Sequence, residues 1–371
     1  MQPPLLILGA SARAAAQSAL RGGFRPFALD MFGDADLQAC CPAVRVANYP
    51  QGLEYAACQA PESPFLYTGG LENHPQLIAR LAHHRQLLGN SASVLRAVRR
   101  PENWTNALRK AGLPCLLVQS EAPVHRPEAW LSKPLRSAGG MHITPAACDS
   151  AAAGRYFQEY RDGQPHSGLY VAAGGRARLL GVTRQLIGET WTGGSGYAYC
   201  GSIGPLPLTT LQEAAWRRLG DCLVDSFPLA GLFGIDAVVD AQAIWPVEVN
   251  PRFPASAELY DRAHGASAVR LHVQACLDQS IEGPDAPPRT ARQMQGKAIL
   301  WALSDLTISD AWTQQALLHH ISDERLLADI PAAGQTIRTG EPIVTCFASG
   351  ATVDEVTTAL KSRAAAVRAS L

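Results

Sequence analysis

Short apolar runs punctuated by glycine set the rhythm of the first third of the chain. Pro4 to Leu8 is apolar and is followed by Gly9-Ala10-Ser11-Ala12-Arg13. An alanine-rich helix runs from about Ala14 to Arg21 and stops at Gly22-Gly23, and Phe24 to Asp30 is a second apolar run ending in an acid. This strand-loop-helix-strand order predicts a right-handed crossover and a parallel sheet. Phe65-Leu66-Tyr67, ending at Thr68-Gly69-Gly70, continues the pattern, with a helix over about Pro75 to Leu87. A helix ending at Ala111-Gly112 then precedes a strand start at Leu113 to Leu116. Further on, Phe157 to Arg161 reads as a strand, Asp162-Gly163 as a turn, and Ser167 to Ala172 as another strand. Gly234 to Asp240 and Ile244 to Arg252 read as two strands of an antiparallel hairpin.

Composition narrows the class without changing this α/β picture. The chain has 371 residues, 47% hydrophobic and 17% charged. At roughly 150 residues per domain it holds two or three domains with real cores. Lys plus Arg equals Asp plus Glu at 32 each, so nothing favours nucleic acid or an anionic membrane as partner. No apolar stretch approaches the ~18 residues that would span a bilayer. The nine cysteines form no CxxC pair and read as reduced thiols of a cytoplasmic protein.

Only four of the basic residues are lysines, at 110, 133, 297 and 361, which draws attention to Lys133. It ends an apolar strand, Trp130-Leu131-Ser132-Lys133, and precedes the small-residue loop Ser137-Ala138-Gly139-Gly140. Such a loop can turn backbone N–H groups toward a phosphate while the lysine supplies a fixed charge. The spacing is not that of a P-loop. Gly9-Ala10-Ser11-Ala12-Arg13 likewise lacks the second and third glycines of a dinucleotide fingerprint, which leaves Ser11 and Arg13 as substrate contacts at the sheet edge. Gln158 beside a strand edge could read an adenine ring. On the hairpin, Glu248, Asn250 and Arg252 alternate with Val249 and Pro251 and so project from one face. A turn centred on Gln242 sets Asp236 opposite Glu248. Two carboxylates and a carboxamide oxygen form an oxygen-only set suited to Mg²⁺.

The lysine-plus-glycine loop, the Gln158-Glu159-Tyr160 segment and the Glu248-Val249-Asn250-Pro251-Arg252 strand, in that order, resemble the ATP-grasp superfamily over roughly residues 1–285. Within it the chain resembles predicted carboligases related to biotin carboxylase, of the kind found in methanogens and one-carbon-metabolising bacteria. The stretches Ala328 to Gly334 and Gly340 to Thr345, with Lys297 opening that region, support the subgroup. The resemblance implies an ATP-grasp fold in three parts. These are a pre-ATP-grasp α/β domain over 1–95, subdomains gripping ATP over 96–285, and a β-rich closing domain over 290–371.

It also implies roles. Lys133 would hold phosphate oxygens under a flexible Ser137, Ala138, Gly139, Gly140 loop, and Gln158, Glu159 and Tyr160 would form the adenine hinge. Glu248 and Asn250, with Asp236, would bind Mg²⁺ or Mn²⁺, and Arg252 would stabilise an acyl phosphate. Where relatives have a first ATP lysine this chain has Arg99-Arg100, and Arg100 is taken as its stand-in. The implied activity is ATP-dependent joining of a small carboxylate to a small amine, in tetrahydromethanopterin- or methylofuran-type biosynthesis, by a protein expected to form a homodimer. Two other readings remain open: a carboxylase-like enzyme that activates bicarbonate, and a nucleotide-binding module without turnover. The glycine- and aromatic-rich segment Trp191 to Pro205 lies where a loop could contact both nucleotide and acceptor.

Overall fold

The computed structural model describes residues 2–148, 153–281, 293–321 and 326–371. Its N-terminal unit is a four-stranded, all-parallel sheet in the order Ala43–Arg45, Arg25–Asp30, Pro4–Gly9, Phe65–Tyr67. Leu5 to Leu8 are buried without alternation, as befits a parallel strand covered on both faces. The crossover helix is Arg13–Arg21, and Gly23 beyond it takes φ +82°. The helix expected to reach Leu87 is Pro75–His84, because Arg85 turns extended and Leu87 bridges Phe65.

Helices Ala92–Val98 and Pro101–Lys110 lead into a small antiparallel sheet, ordered Val118–Gln119, Arg155–Glu159, Trp130–Pro134, Thr144–Pro145. The main sheet has eight strands, each antiparallel to its neighbours. Their order is Ile244–Asn250, Gly231–Val239, Gln164–Ala173, Arg176–Ile187, Tyr199–Gly204, Met294–Trp301, Pro342–Gly350, Leu327–Ala328. Strands Arg155–Glu159 and Gln164–Ala173 belong to different sheets, so residues 160–163 carry the chain across between them and close no hairpin. Gly163 is required there, since a Cβ would lie 2.6 Å from Val238 Cγ1 and 2.7 Å from the Val239 carbonyl.

Three packed regions hold these layers together. Helix Thr210–Ser226, opened by a Thr209/Gln212 capping box, lays Trp216, Leu219 and Leu223 on one face of the main sheet. Leu5 and Ile7 of the parallel sheet share a core with Leu169 and Val171 of the main sheet through helices Ala257–His264 and Ala268–Asp278. The C-terminal segment continues the main sheet instead of folding as a separate β unit. Met294–Trp301 pairs with Tyr199–Gly204, and helix Val353–Ser370 covers the joint with Val356, Leu360, Ala364 and Val367. That segment also reaches the N-terminal unit, where Ala35 N donates to the Ile330 carbonyl at 2.7 Å. The three parts therefore wall a common cleft. The eight cysteines whose side chains are described are free, and no helix among the described residues is long and apolar enough to cross a membrane.

Candidate functional site

The cleft encloses a cavity of about 610 Å³ between the small sheet, the main sheet and the C-terminal ends of the parallel strands. Lys133 enters it from strand Trp130–Pro134 and is only 8% exposed. Its Nζ donates to Gln158 Oε1 at 3.0 Å and to the Val247 carbonyl at 3.2 Å. Two of the three ammonium protons are thus placed, which aims the charge at the hairpin.

The hairpin has the register read from sequence, with Asp236 opposite Glu248 and a bulge just beyond. Glu248, Asn250, Arg252 and Asp236 all line the cavity. Asn250 Nδ2 donates to Asp236 Oδ2 at 2.9 Å, and Arg252 Nη2 donates to Asn250 Oδ1 at 3.0 Å. Arg252 Nε in turn donates to buried Glu72 at 3.1 Å, which fixes the guanidinium. Burial pushes the Asp236 carboxyl up to about 6, with facing Glu248 adding to it. Burial also works against ionised Glu248, but Arg99 and Lys133 outweigh it and hold that carboxyl below its ordinary range.

Arg99, not Arg100, supplies the cation here. Arg99 Nη1 donates to Glu248 Oε1 at 2.5 Å, while Nη2 reaches Asn73 Oδ1 at 3.0 Å and the Leu135 and Ser137 carbonyls at 3.3 Å. Arg99 lines a small pocket that adjoins the cavity and shares Lys133, Gly140 and Glu248 with it, whereas Arg100 is exposed at the cap of helix Pro101–Lys110. Arg99 ends helix Ala92–Val98 and Arg100 opens the next with an extended backbone, φ −100° and ψ 107°, which separates their side chains.

The glycine loop is docked rather than open. Asn73 Nδ2 donates to the Ser137 carbonyl at 3.0 Å, and Tyr199 N donates to the Gly139 carbonyl at 2.9 Å. Ala138, Gly139 and Gly140 line the cavity, with Gly139 and Gly140 at φ +65° and +73°. A Cβ on Gly140 would sit 1.9 Å from the Tyr197 carbonyl. Tyr197, Tyr199 and Ser202 thereby bring half of the aromatic-rich segment into the site. Trp191, at its start, packs instead against the C-terminal core.

The Gln158-Glu159-Tyr160 segment forms part of the cavity wall. Gln158 is buried and fixes Lys133. The N–H groups of Glu159 and Tyr160 already donate to the Leu117 and Ala129 carbonyls, so a base would be read by other groups of this edge. Tyr160 is half-exposed at the rim.

Asp236 and Glu248 present oxygens suited to a hard cation, and Asn250 Oδ1 has a second lone pair beyond the one facing Arg252. No three His, Cys, Asp or Glu side chains converge to hold a metal among the described residues. A divalent ion at this hairpin would therefore draw its remaining ligands from a bound polyphosphate, as Mg²⁺ commonly does.

Arg13, read from sequence as a substrate contact, and Lys297 have partners that the sequence did not indicate. Arg13 is 1% exposed; it donates to Glu258, and to Asp329 Oδ1 and Oδ2 at 2.9 and 3.0 Å, with Asp36 at 3.6 Å. Lys297 Nζ donates to the Ala255 carbonyl at 2.7 Å and to Glu258 at 3.3 Å. Arg13 is thus a joint between three parts of the chain, its donors already occupied by carboxylates. Asp329 and Glu258 lie 316 and 245 residues away, and no spacing rule connects them to it.

Residues 103–256 match the model of the ATP-grasp domain. Formate-dependent phosphoribosylglycinamide formyltransferase of Burkholderia lata is 26% identical over 170 residues, 46% of this chain and 40% of that protein. The chain thus aligns with less than half the length of that curated relative. Across nearly its whole length it shares the fold of two solved structures. The biotin carboxylase domain of Hydrogenobacter thermophilus 2-oxoglutarate carboxylase, solved with MgADP, ADP and bicarbonate, gives a TM-score of 0.73 at 13% identity, covering 96% of this chain and 88% of that one. N5-carboxyaminoimidazole ribonucleotide synthetase of Thermus thermophilus gives 0.68 at 15% identity, covering 96% of each.

Proposed function

We propose that this chain, which carries an ATP-grasp domain within an ATP-grasp fold, is an ATP-dependent ligase that joins a small carboxylate to a small amine. The observation that carries this reading is the convergence of Arg99, Lys133 and Arg252 on Glu248 and Asn250 under the docked Gly139-Gly140 loop. Three fixed cations suit a nucleoside triphosphate and the charge that builds up as its terminal phosphoryl moves. A carboxylate is a poor acyl donor because its oxygen leaves badly. Attack of the carboxylate on the γ-phosphorus gives an acyl phosphate and ADP. The amine then attacks the acyl carbon, the C–O bond to phosphate breaks, and amide and inorganic phosphate result. Asp236, Glu248 and Asn250 would hold Mg²⁺, whose charge would offset that of the phosphates. Lys133 holds phosphate oxygens, Arg252 stabilises the phosphoryl in transit, and the loop latched to Tyr197–Tyr199 keeps water out. The resemblance to carboligases of one-carbon-metabolising organisms favours a product in tetrahydromethanopterin- or methylofuran-type biosynthesis.

Lys133→Met tests the nucleotide end while keeping the apolar stem packed. Loss of one charge-assisted contact of this kind costs about 1.5–3 kcal/mol, so calorimetric MgATP affinity should fall about tenfold or more. Unchanged affinity in the folded variant overturns the assignment. ADP release measured against panels of carboxylates and amines identifies the substrates. A second reading, bicarbonate activation, is favoured by the fold shared with a carboxylase domain solved with bicarbonate. Bicarbonate-dependent ADP release without an organic acid would select it.

A further inference from the structure

We propose that the N-terminal unit completes the nucleotide site, with Asn73 as a positioning residue that sets Arg99 and the glycine loop together. This rests on the ligase reading and adds to it a residue from outside the matched domain, which begins at residue 103. Asn73 is 9% exposed, and both ends of its amide are used. Oδ1 accepts from Arg99 Nη2 at 3.0 Å, and Nδ2 donates to the Ser137 carbonyl at 3.0 Å. The partners fix the orientation of the amide, since a guanidinium only donates and a carbonyl only accepts. Arg99 Nη2 also reaches the Ser137 carbonyl at 3.3 Å, so the three groups close a triangle. One side chain thus holds a cation of the site and the loop above it.

The turn that carries Asn73 is built into the parallel unit. Strand Phe65–Tyr67 ends before Thr68, Gly70 takes φ +95°, and Leu71–Asn73 form one 3₁₀ turn. Leu71 is fully buried in the core that holds Leu6, Leu8, Leu77 and Ile78. Asn73 N donates to the Gly70 carbonyl at 3.3 Å, His74 N donates to the Leu71 carbonyl at 2.9 Å, and Pro75 opens the next helix. The backbone under Asn73 is therefore held by a different core from the sheet that carries Lys133. Glu72, the residue before it, is 1% exposed and accepts from Arg252 Nε at 3.1 Å. Adjacent residues of one turn touch two of the three cations.

The arrangement has a direct consequence for Arg99. Glu248 holds Nη1 at 2.5 Å, which by itself leaves the guanidinium free to turn about that contact. Asn73 fixes the other end of the fork. A cation held at both ends meets a phosphate without reorganising when the nucleotide arrives. Nη2 keeps the Leu135 and Ser137 carbonyls as further acceptors, so loss of Asn73 displaces Arg99 without freeing it. The effect on affinity is accordingly smaller than that of losing Arg99 itself.

The test is a double-mutant cycle on the full chain. Wild type, Asn73→Ala, Arg99→Ala and the double variant are titrated with MgATP by calorimetry, and thermal unfolding is recorded for each. Asn73→Ala should weaken MgATP about fivefold when Arg99 is present and less than about twofold when it is alanine. It should also speed limited proteolysis near residue 140. A residue needed only for folding would lower the unfolding temperature and give the same loss in both backgrounds. Equal losses therefore overturn the proposal, as do an unchanged affinity or unchanged cleavage in Asn73→Ala. If that variant does not fold, Asn73→Asp, of nearly the same size, runs the same cycle. Its carboxylate is paired in one background and unpaired in the other, so it should weaken MgATP more without Arg99, and an equal cost overturns the proposal. MgATP binding with additive losses removes the positioning role alone. Failure of the wild type to bind MgATP removes the ligase reading and this role with it.

Discussion

Replacing Arg13 by methionine keeps most of the apolar volume and removes the cation that joins the three parts of the chain. The Arg13 side chain is 2% exposed, and its partners Glu258, Asp36 and Asp329 are 5%, 0% and 26% exposed. Removing one member of a buried pair leaves the other charge without compensation and costs about 3–5 kcal/mol. The loss should fall at the upper end, because Lys297 remains for Glu258 while Asp329 loses the cation that meets both of its oxygens.

The pH dependence gives a sharper check than the magnitude. In the wild type, burial opposes ionisation of Glu258 and Asp329, but Arg13 prevails and both carboxyls lie below their ordinary values. That stability is present above the unfolded carboxyl range and is lost as pH falls through the lower folded values. Without Arg13 the largest opposition to burial is gone and the same carboxyls rise, Glu258 less than Asp329 because Lys297 and Arg262 stay beside it, so the folded variant holds protons to higher pH than the wild type. Its deficit is then largest at pH 8 and shrinks toward pH 5.5. A carboxyl whose pKa rises by one on folding costs about 1.4 kcal/mol once it is ionised. Asp30, Asp236 and Asp261, each pushed up to about 6 chiefly by burial, titrate in both proteins, so the diagnostic quantity is the difference between them. Denaturant unfolding followed by circular dichroism should show a smaller gap at pH 5.5 than at pH 8. A gap below about 1 kcal/mol at pH 8, or one that widens in acid, refutes the reasoning.

Arg99→Ala should lower calorimetric MgATP affinity about tenfold while Arg100→Ala changes it less than about twofold, and the reverse order would place the cation on Arg100. Arg252→Ala should retain MgATP binding while single-turnover ADP release falls about a hundredfold, whereas an unchanged kcat with raised KM would put Arg252 in ground-state recognition. Gly140→Ala should push the loop off Tyr197, since its Cβ meets that carbonyl at 1.9 Å, and limited proteolysis should cut near residue 140 faster than in the wild type. Gly139→Ala, with φ +65° but nothing within 4 Å, should show a smaller effect, and equal cleavage in both would argue against a docked loop.

What was legible in the sequence is what depends on short range. The period-two alternation of Glu248 and Asn250 fixes one face, and the short turn before Ile244 sets Asp236 opposite Glu248, whereas Arg252 lies beyond the strand, which ends at Asn250 and not at residue 252. Lys133 stood out because lysine is scarce and because it ends an apolar strand next to two glycines. The choice between Arg99 and Arg100 was not legible. It depends on how helix Ala92–Val98 is rotated against Asn73 and the Leu135 and Ser137 carbonyls, which is a tertiary fact. The segment 160–163 was ambiguous for a related reason: a tight turn and a crossing between sheets both call for glycine at 163. The pairing of Tyr199–Gly204 with Met294–Trp301 spans some ninety residues, so no local pattern could show that the C-terminal strands extend the main sheet.

The same distinction separates the two regions of the cavity. Around Lys133 the charges come from one strand, one hairpin and one helix end, and each motif carries its own signal. Around Asp34 they come from Asp30 and Asp36 in the parallel unit, Glu258 beyond the hairpin, and Lys297 and Asp329 in the C-terminal segment. Some of these residues sit in stretches with a signal of their own, but their pairing with Arg13 runs across 245 to 316 residues and no local pattern carries it.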